Sequence, residues 1–179
     1  MSDVSLEQAS RETIQKGSRS FAAAAALFDA QTRADAEMLY AWCRYCDDVV
    51  DGQDLGHGMT VLAPEEAQRR LDGLYAKTRA ALAGQPMDDP EFAAFQKVAA
   101  RRQIPERYAI DLIDGFAMDV AARQYRTIED TLDYCYHVAG VVGVMMALVM
   151  GVKPGDLATL RRAQDLGLAF QLTNISRDV

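Results

Sequence analysis

Three aspartates lie close together near the end of one strongly helical segment. Asp47 and Asp51 are four residues apart, so they project from the same side of a helix, about 6 Å apart along its axis, and Asp48 flanks them. Like charges at this spacing destabilise a helix by roughly 0.2–0.5 kcal/mol. Carboxylate oxygens are preferred ligands of Mg²⁺, which completes its shell with water and phosphate oxygens. The cluster therefore predicts a Mg²⁺ site, whereas an isolated pair would more simply be a solvated acidic helix end.

One face of the same segment suits an anion together with its metal ions. Steps of four, three and four residues place the following on one side of a helix: Tyr40, Arg44, Asp47 and Asp51. A phenol, a guanidinium and two carboxylates make a poor hydrophobic face. They suit the polar wall of a cavity, because arginine contacts a phosphate group through two parallel hydrogen bonds.

A second polar set lies near the end of the chain. Gln171, Asn174 and Asp178 fall on one helix face, and Arg177 lies beside them, suited to a phosphate contact. Considered alone, this is an ordinary helix of mixed polarity. Together with the first cluster it predicts two helices that face each other and hold a diphosphate group through divalent metal ions, which would assist loss of that group.

Composition excludes several classes of protein. The chain has 26 acidic and 19 basic residues, a formal charge of −7, which argues against nucleic-acid binding. Cys43 and Cys46 form a C-x-x-C pair in mid-helix without a second pair, so buried thiols are favoured over a zinc site. The N-terminus lacks the pattern of a signal peptide, and the uncharged run 138–152 is shorter than the ~20 residues of a spanning helix. A cytoplasmic protein with a buried core helix is expected.

The apolar residues recur with helical periodicity, which predicts an all-α bundle of about eight helices. Helix starts are indicated at the pairs Ser5–Gln8, Thr32–Asp35 and Thr127–Asp130, at Pro64, Pro90 and Pro105, and at Pro154 or Asp156. Neither a repeat nor a linker interrupts the pattern. The expected organisation is a single all-helical domain over residues 1–179.

Five ordered segments resemble motifs of the squalene/phytoene synthase family. They are Ser-Arg-Ser-Phe at 18–21, the aspartate-rich segment 40–51, Asp-Gly-Phe-Ala-Met-Asp at 114–119, the segment 134–143, and the segment 171–179. The segments at 114–119 and 134–143 are most similar to those of the bacterial phytoene synthases within this family. The resemblance spans almost the whole chain. It implies an isoprenoid synthase-type helical bundle with a central cavity.

The resemblance also implies roles by motif position. The implied metal ligands are Asp47, Asp48, Asp51, Asn174 and Asp178. The implied catalytic residues are Tyr40, Arg44, Tyr134 and Arg177, of which Tyr134 would help to control the carbocation and the diphosphate. The implied substrate-binding residues are Ser18, Ser20 and Gln171 at the polar end, and Val138, Ala139 and Val142 along the prenyl tail.

The reaction implied is the head-to-head condensation of two geranylgeranyl diphosphates to phytoene through a cyclopropylcarbinyl diphosphate. Mg²⁺, with Mn²⁺ as a substitute, is the implied cofactor, and NADPH is not expected because phytoene formation involves no reduction. The apolar substrates and product imply peripheral contact with the inner face of the membrane. The family pattern has a further acid four residues after Asp178, so the domain is expected to be incomplete at its C-terminal end. The sequence predicts no oligomeric state.

Three alternatives remain open at this point. The first is a related C15 enzyme that makes squalene or dehydrosqualene, since pocket depth sets chain length. The second is a class I terpene cyclase, which also uses two metal clusters but a single substrate. The third is a non-catalytic scaffold derived from the family, although a scaffold has no need of Asp47, Asp51, Asn174 and Asp178.

Overall fold

The computed structural model describes residues 3–52 and 62–177, and every regular element within them is helical. The α-helices of these residues are α1 Asp3–Gly17, α2 Arg19–Ala25, α3 Ala30–Asp51, α4 Pro64–Leu82, α5 Pro90–Arg102, α6 Glu106–Val120, α7 Ile128–Cys135, α8 Val141–Val149 and α9 Leu157–Arg177. A π-helical segment, Tyr136–Gly140, joins α7 to α8. The prediction of an all-α fold is confirmed.

The helices group into two compact units, residues 1–102 and residues 103–179. The N-terminal unit holds α1 to α5, and the C-terminal unit holds α6 to α9 with the π-helical segment. A single domain over the whole chain, incomplete at its end, stays a prediction.

Helix α3 is the centre of the N-terminal unit and packs against α1, α2, α4 and α5. Its Trp42 ring is fully buried and stacks on Phe95 of α5, with 3.9 Å between ring centroids. Asp35 of α3 is also fully buried and forms ion pairs with Arg101 and Arg102 of α5, the latter at 2.6 Å from Nε to Oδ2. The apolar stack and the buried ion pairs fix α3, and with it the aspartate-rich face, against α5.

The start of α3 differs from the prediction. Asp29 caps the helix, because its Oδ1 accepts hydrogen bonds at 3.0 Å from the backbone amides of Gln31 and Thr32. The predicted Thr32–Asp35 cap is therefore wrong. The physical reason is that both side chains are used in tertiary contacts, since Asp35 pairs with arginines and the Thr32 hydroxyl accepts a bond from Arg102 at 3.3 Å.

The predicted Ser5–Gln8 box does not open α1, because the helix already begins at Asp3 and the Gln8 side chain pairs with Glu12. Several other predicted helix ends are confirmed. Pro64 is the first residue of α4, and Thr127 and Asp130 form a reciprocal capping box at the start of α7. Asp156 accepts a hydrogen bond from the Thr159 amide at 3.1 Å just before α9 begins, so it is the start signal there rather than Pro154. Gly52 ends α3 in the left-handed conformation with φ 62°, which glycine adopts without steric penalty.

In the C-terminal unit, α8 and the π-helical segment pack against both α6 and α9. Two glycines let the backbones come close. A methyl group added at Gly167 of α9 would lie 2.9 Å from the carbonyl carbon of Ala139 and 2.9 Å from the Cα of Gly140. One added at Gly143 would lie 3.2 Å from the carbonyl carbon of Ala163. Only glycine leaves room for this crossing.

Within the described residues, one continuous helical stretch, Ile128–Val149, is long and apolar enough to cross a membrane by length and composition alone. This stretch is longer than the uncharged run 138–152, which was predicted to be too short to span a membrane. It is longer because α7 precedes that run without a break in the helix. Its contacts with α6 and α9 are those of a core helix, and a core helix passes the same length and composition criterion.

Candidate functional site

The second half of α3 carries the aspartate-rich cluster, and Arg44 connects two of its members. Arg44 Nη1 lies 3.0 Å from Asp47 Oδ2, and its Nη2 lies 2.9 Å from Asp48 Oδ1. Asp48 is buried, whereas Asp47 is half-buried. The Nε of Arg44 is buried and has no hydrogen-bond partner within the part of the chain that the structure describes. Since buried donors are nearly always paired, this atom suits an anionic ligand that contacts the Arg44 side chain.

Asp51 is the last residue of α3, one turn beyond Asp47. Desolvation raises the pKa of its carboxyl, although part of the side chain is exposed, and repulsion from Asp48 adds to the increase while Arg44 opposes it. The ionised form of Asp51 is therefore disfavoured in the protein without a ligand. A cation bound at the cluster would offset both effects, because a nearby positive charge favours the ionised carboxylate.

The end of α3 is held by an arginine from the next helix. Arg70 of α4 donates from Nη1 to the Val49 carbonyl oxygen at 3.3 Å, and its Nε pairs with Glu66 at 2.7 Å. A cation at this position opposes the negative end of the helix dipole, where α3 also carries its aspartates. Arg70 thus stabilises the last turn that presents Asp51.

Replacing Arg70 by alanine should lower the free energy of unfolding by about 1 kcal/mol, since it removes a charge-assisted bond to a helix C-terminus. Amide exchange in the last turn of α3 should also become faster in metal-free protein. The matched control is Arg69→Ala, because Arg69 pairs with the same Glu66 but is 74% exposed. Equal effects of the two substitutions, measured by denaturant unfolding and hydrogen exchange, would contradict the proposed contribution of the Val49 contact.

The two predicted serines lie next to the N-terminal end of the α3 face. Ser18 caps α2 by accepting a hydrogen bond from the Phe21 amide at 3.3 Å, and its Oγ lies 3.2 Å from the Oγ of Ser20. The Phe21 ring contacts the Tyr40 ring edge-on at 6.1 Å, and the Tyr40 hydroxyl lies against Gly17. Burial raises the pKa of Tyr40, with Arg44 opposing, so its phenol stays protonated and able to donate.

Tyr134 of α7 belongs to a second polar cluster, in the C-terminal unit. Its hydroxyl donates to Asp119 Oδ2 of α6 at 3.3 Å, and its ring lies 5.0 Å from that of Tyr125. The sequence pattern indicates no role for Asp119 or Tyr125. Asp119 could have been singled out as the last residue of the family-like segment 114–119, but its contact with Tyr134 is visible only in the fold.

The three residues predicted to line the prenyl channel are all half-buried: Val138, Ala139 and Val142. Val138 lies against Gly115 of α6, where an added methyl group would be 2.9 Å from its Cγ1. The carbonyl group of Ala139 faces Gly167 of α9. Part of this segment is therefore used in packing, and its role as channel lining stays a prediction.

At the end of α9, Gln171 is half-buried and Asn174 is exposed, with 3.4 Å from Asn174 Nδ2 to Gln171 Oε1. Arg177, the last residue of α9, is exposed, and Asp178 lies outside the described residues. The shared face of Gln171 and Asn174 follows the predicted helical register. That this face confronts the aspartates of α3 stays a prediction.

The donors of the α3 cluster fit a hard divalent cation. Among the described residues no three His, Cys, Asp or Glu side chains form a ready-made metal-binding group. The oxygen donors of Asp47, Asp48 and Asp51 are nevertheless those that Mg²⁺ prefers. Burial raises the pKa of nearby Cys43 to about 12, so its thiol stays protonated and offers no thiolate ligand. Of the C-x-x-C pair, Cys46 is buried and Cys43 is half-buried.

The sequence is similar to those of known proteins over nearly its whole length. The sequence profile of the squalene/phytoene synthase family matches residues 14–179. Over all 179 residues the chain is 56% identical to the 15-cis-phytoene synthase of Pantoea ananas and 58% identical to that of a Paracoccus strain. In both cases it spans 57% of the relative's length.

Solved structures of related enzymes share the fold. A dehydrosqualene synthase superposes with a TM-score of 0.81 at 26% identity, covering 96% of this chain and 56% of that one. The fold of a squalene synthase from Alicyclobacillus acidocaldarius superposes with a TM-score of 0.79 at 24% identity, covering 97% of this chain and 62% of that one. These neighbours confirm an isoprenoid synthase-type fold. With a profile match over nearly the whole chain, this protein belongs to the squalene/phytoene synthase family.

Proposed function

We propose that the protein is a head-to-head prenyltransferase that condenses two geranylgeranyl diphosphates to phytoene in carotenoid biosynthesis. The observation that carries the proposal is an identity of 56–58% over the full 179 residues to bacterial enzymes named as phytoene synthases. The chain spans about 57% of the length of those relatives, so the proposal concerns the activity of the full-length protein.

The proposed metal is Mg²⁺, with Mn²⁺ as a substitute. The ligands would be Asp47, Asp48 and Asp51 from α3, with Asn174 and Asp178 from the end of the chain. When bound, the metal supplies positive charge that stabilises the departing diphosphate. This assignment is supported by the oxygen donors of α3 and by the raised pKa of Asp51, which a cation would lower.

The proposed diphosphate contacts come from hydrogen-bond donors on the chain itself. Arg44 has a buried Nε without a partner among the described residues, and Tyr40 keeps its proton. Ser18 and Ser20 are adjacent in the chain to Gly17 and Phe21, and both of these neighbours contact Tyr40. Arg177 and Gln171 would complete the set.

The carbon chemistry needs a dry, apolar surface. Loss of one diphosphate gives an allylic cation, which the double bond of the second substrate attacks. Loss of a proton then gives the cyclopropylcarbinyl diphosphate, and a second ionisation, rearrangement and proton loss give phytoene. Val138, Ala139 and Val142 would exclude water from these cations, in keeping with their apolar side chains and partial burial.

No reductant is needed, so NADPH is not part of the proposal. The proposed location is the cytoplasm, with peripheral contact at the inner face of the membrane, because prenyl tails and phytoene partition into lipid. The carbon-chain specificity follows the phytoene synthases, to which the identity is more than twice that to the dehydrosqualene synthase.

Incubating the full-length protein separately with C15 and C20 prenyl diphosphates, with and without NADPH, tests the proposal. The expected result is a C40 product from the C20 substrate that requires Mg²⁺ and is unaffected by NADPH. A C30 product alone would favour squalene or dehydrosqualene synthesis. A cyclic product from one substrate molecule would favour a terpene cyclase, and lack of any conversion would favour a non-catalytic scaffold.

A further inference from the structure

We propose that Asp119 is a positioning residue that acts through Tyr134: it accepts a hydrogen bond from the phenol, so that the phenolic oxygen offers its lone pairs to positive charge in the substrate. This inference rests on the proposed prenyltransferase function. It deepens that function, because it assigns Tyr134 to the carbocation rather than to the diphosphate.

The geometry joins two helices of the C-terminal unit. Asp119 lies in the last turn of α6, and Tyr134 lies in α7, with the connection 121–127 between them. The distance from Tyr134 Oη to Asp119 Oδ2 is 3.3 Å. The hydroxyl therefore points its proton at a carboxylate that comes from a different helix.

The connection between these helices holds the Tyr134 ring from one side. Tyr125 in this connection packs against it at 5.0 Å, with 47° between the ring planes. Arg123, two residues earlier, lies over the Tyr125 ring at 5.8 Å and pairs with Asp133 at 2.8 Å. The ring is thus contacted by Tyr125 and its hydroxyl by Asp119.

The chemistry follows from the direction of the hydrogen bond. A phenol that donates to a carboxylate gains negative charge on its oxygen, because the two groups polarise each other. Its proton is then engaged and is not available to a diphosphate oxygen. A fixed, electron-rich oxygen stabilises positive charge that develops during ionisation without having to reorganise.

A double-mutant cycle in the full-length protein tests the inference. Asp119→Asn keeps the shape of the side chain but removes its charge, and should lower kcat by roughly ten- to a hundred-fold with KM within about three-fold. Because Asp119 acts through Tyr134, adding Asp119→Asn to Tyr134→Phe should lower kcat no further than Tyr134→Phe alone. Asp119→Glu should restore part of the loss.

Two further measurements separate this role from a merely structural one. The thermal midpoint of Asp119→Asn should stay close to that of the wild type, while the ratio of released cyclopropylcarbinyl diphosphate to final product should rise. The control is Glu129→Gln, which neutralises an exposed carboxylate of the same α7 and should leave kcat unchanged.

The inference is overturned if Asp119→Asn has wild-type kcat, if its effect adds fully to that of Tyr134→Phe, or if only KM changes. In each case an active wild type would leave the proposed prenyltransferase function intact. A wild-type protein that converts neither C15 nor C20 diphosphates would overturn both.

Discussion

Replacing Asp47 and Asp51 together by asparagine is expected to lower kcat by roughly a thousand-fold or more, the size of effect seen when charge stabilisation at a reacting centre is removed. Asparagine keeps the shape of each side chain but takes away the negative charge that would hold Mg²⁺. Product formation from C20 diphosphate in the full-length protein is the measurement. The stabilisation of the protein by added Mg²⁺, seen as an upward shift in Tm, should also disappear.

The sign of the stability change distinguishes this prediction from simple unfolding. Because desolvation and Asp48 raise the pKa of Asp51, its ionised form destabilises the metal-free protein at neutral pH. Asp51→Asn alone should therefore keep or increase the metal-free Tm while activity falls. If Asp51→Asn lowered both the metal-free Tm and the activity, this carboxylate would have a structural role.

The control for the double substitution is a matched change of charge elsewhere in the N-terminal unit. Asp72 and Asp88 are both exposed, so Asp72→Asn combined with Asp88→Asn changes the net charge by the same amount. This variant should retain activity and its Mg²⁺-dependent shift in Tm. If both double variants lost activity and the Mg²⁺-dependent shift in Tm to a similar extent, the metal assignment would be contradicted, because a general charge effect would explain the result.

Gly167→Ala is expected to lower the free energy of unfolding by roughly 1–3 kcal/mol or more, which is the range for overpacking a tight contact. The added methyl group would meet backbone atoms of Ala139 and Gly140 at 2.9 Å, and backbone cannot move aside as a flexible side chain can. Helix α9 would have to shift away from the π-helical segment. Because Gly167 lies one turn before Gln171, we also expect the polar face at the end of α9 to be displaced.

The sign of this effect should reverse at another helical glycine. Gly73 of α4 has open space around the position of an added methyl group, so Gly73→Ala should stabilise by about 0.5–1 kcal/mol through helix propensity. Denaturant unfolding followed by far-UV circular dichroism measures both variants. The single tryptophan, Trp42, lies in the N-terminal unit and reports on that unit separately. If Gly167→Ala were as stable as the wild type, α9 could move away from the π-helical segment without a measurable cost, which would contradict the prediction.

Sequence periodicity was sufficient for features that depend on neighbours along one helix. The face with Arg44 and Asp47 follows from steps of three and four residues, and Arg44 indeed pairs with Asp47 and Asp48 at those spacings. The Thr127–Asp130 box was likewise readable, because all its partners lie within four residues.

Features that depend on a partner from another helix were missed or misassigned. Asp35 was taken for a capping partner, but it pairs with Arg101 and Arg102, more than 60 positions away. Asp119 received no role, since its bond to Tyr134 spans 15 residues and a change of helix. Nothing in the local pattern of the apolar segment indicated the π-helical turn at Tyr136–Gly140.

The amino-acid sequence by itself determined the helical class, the family motifs and the spacing of the aspartates on α3, because helix geometry fixes which residues share a face. Only the tertiary structure decided what each polar group is bonded to: Asp35 to arginines of α5, Arg70 to the end of α3, and Tyr134 to Asp119. The physical reason is that such bonds join residues far apart in the chain. Their pairing is selected by packing of whole helices, which no local pattern encodes.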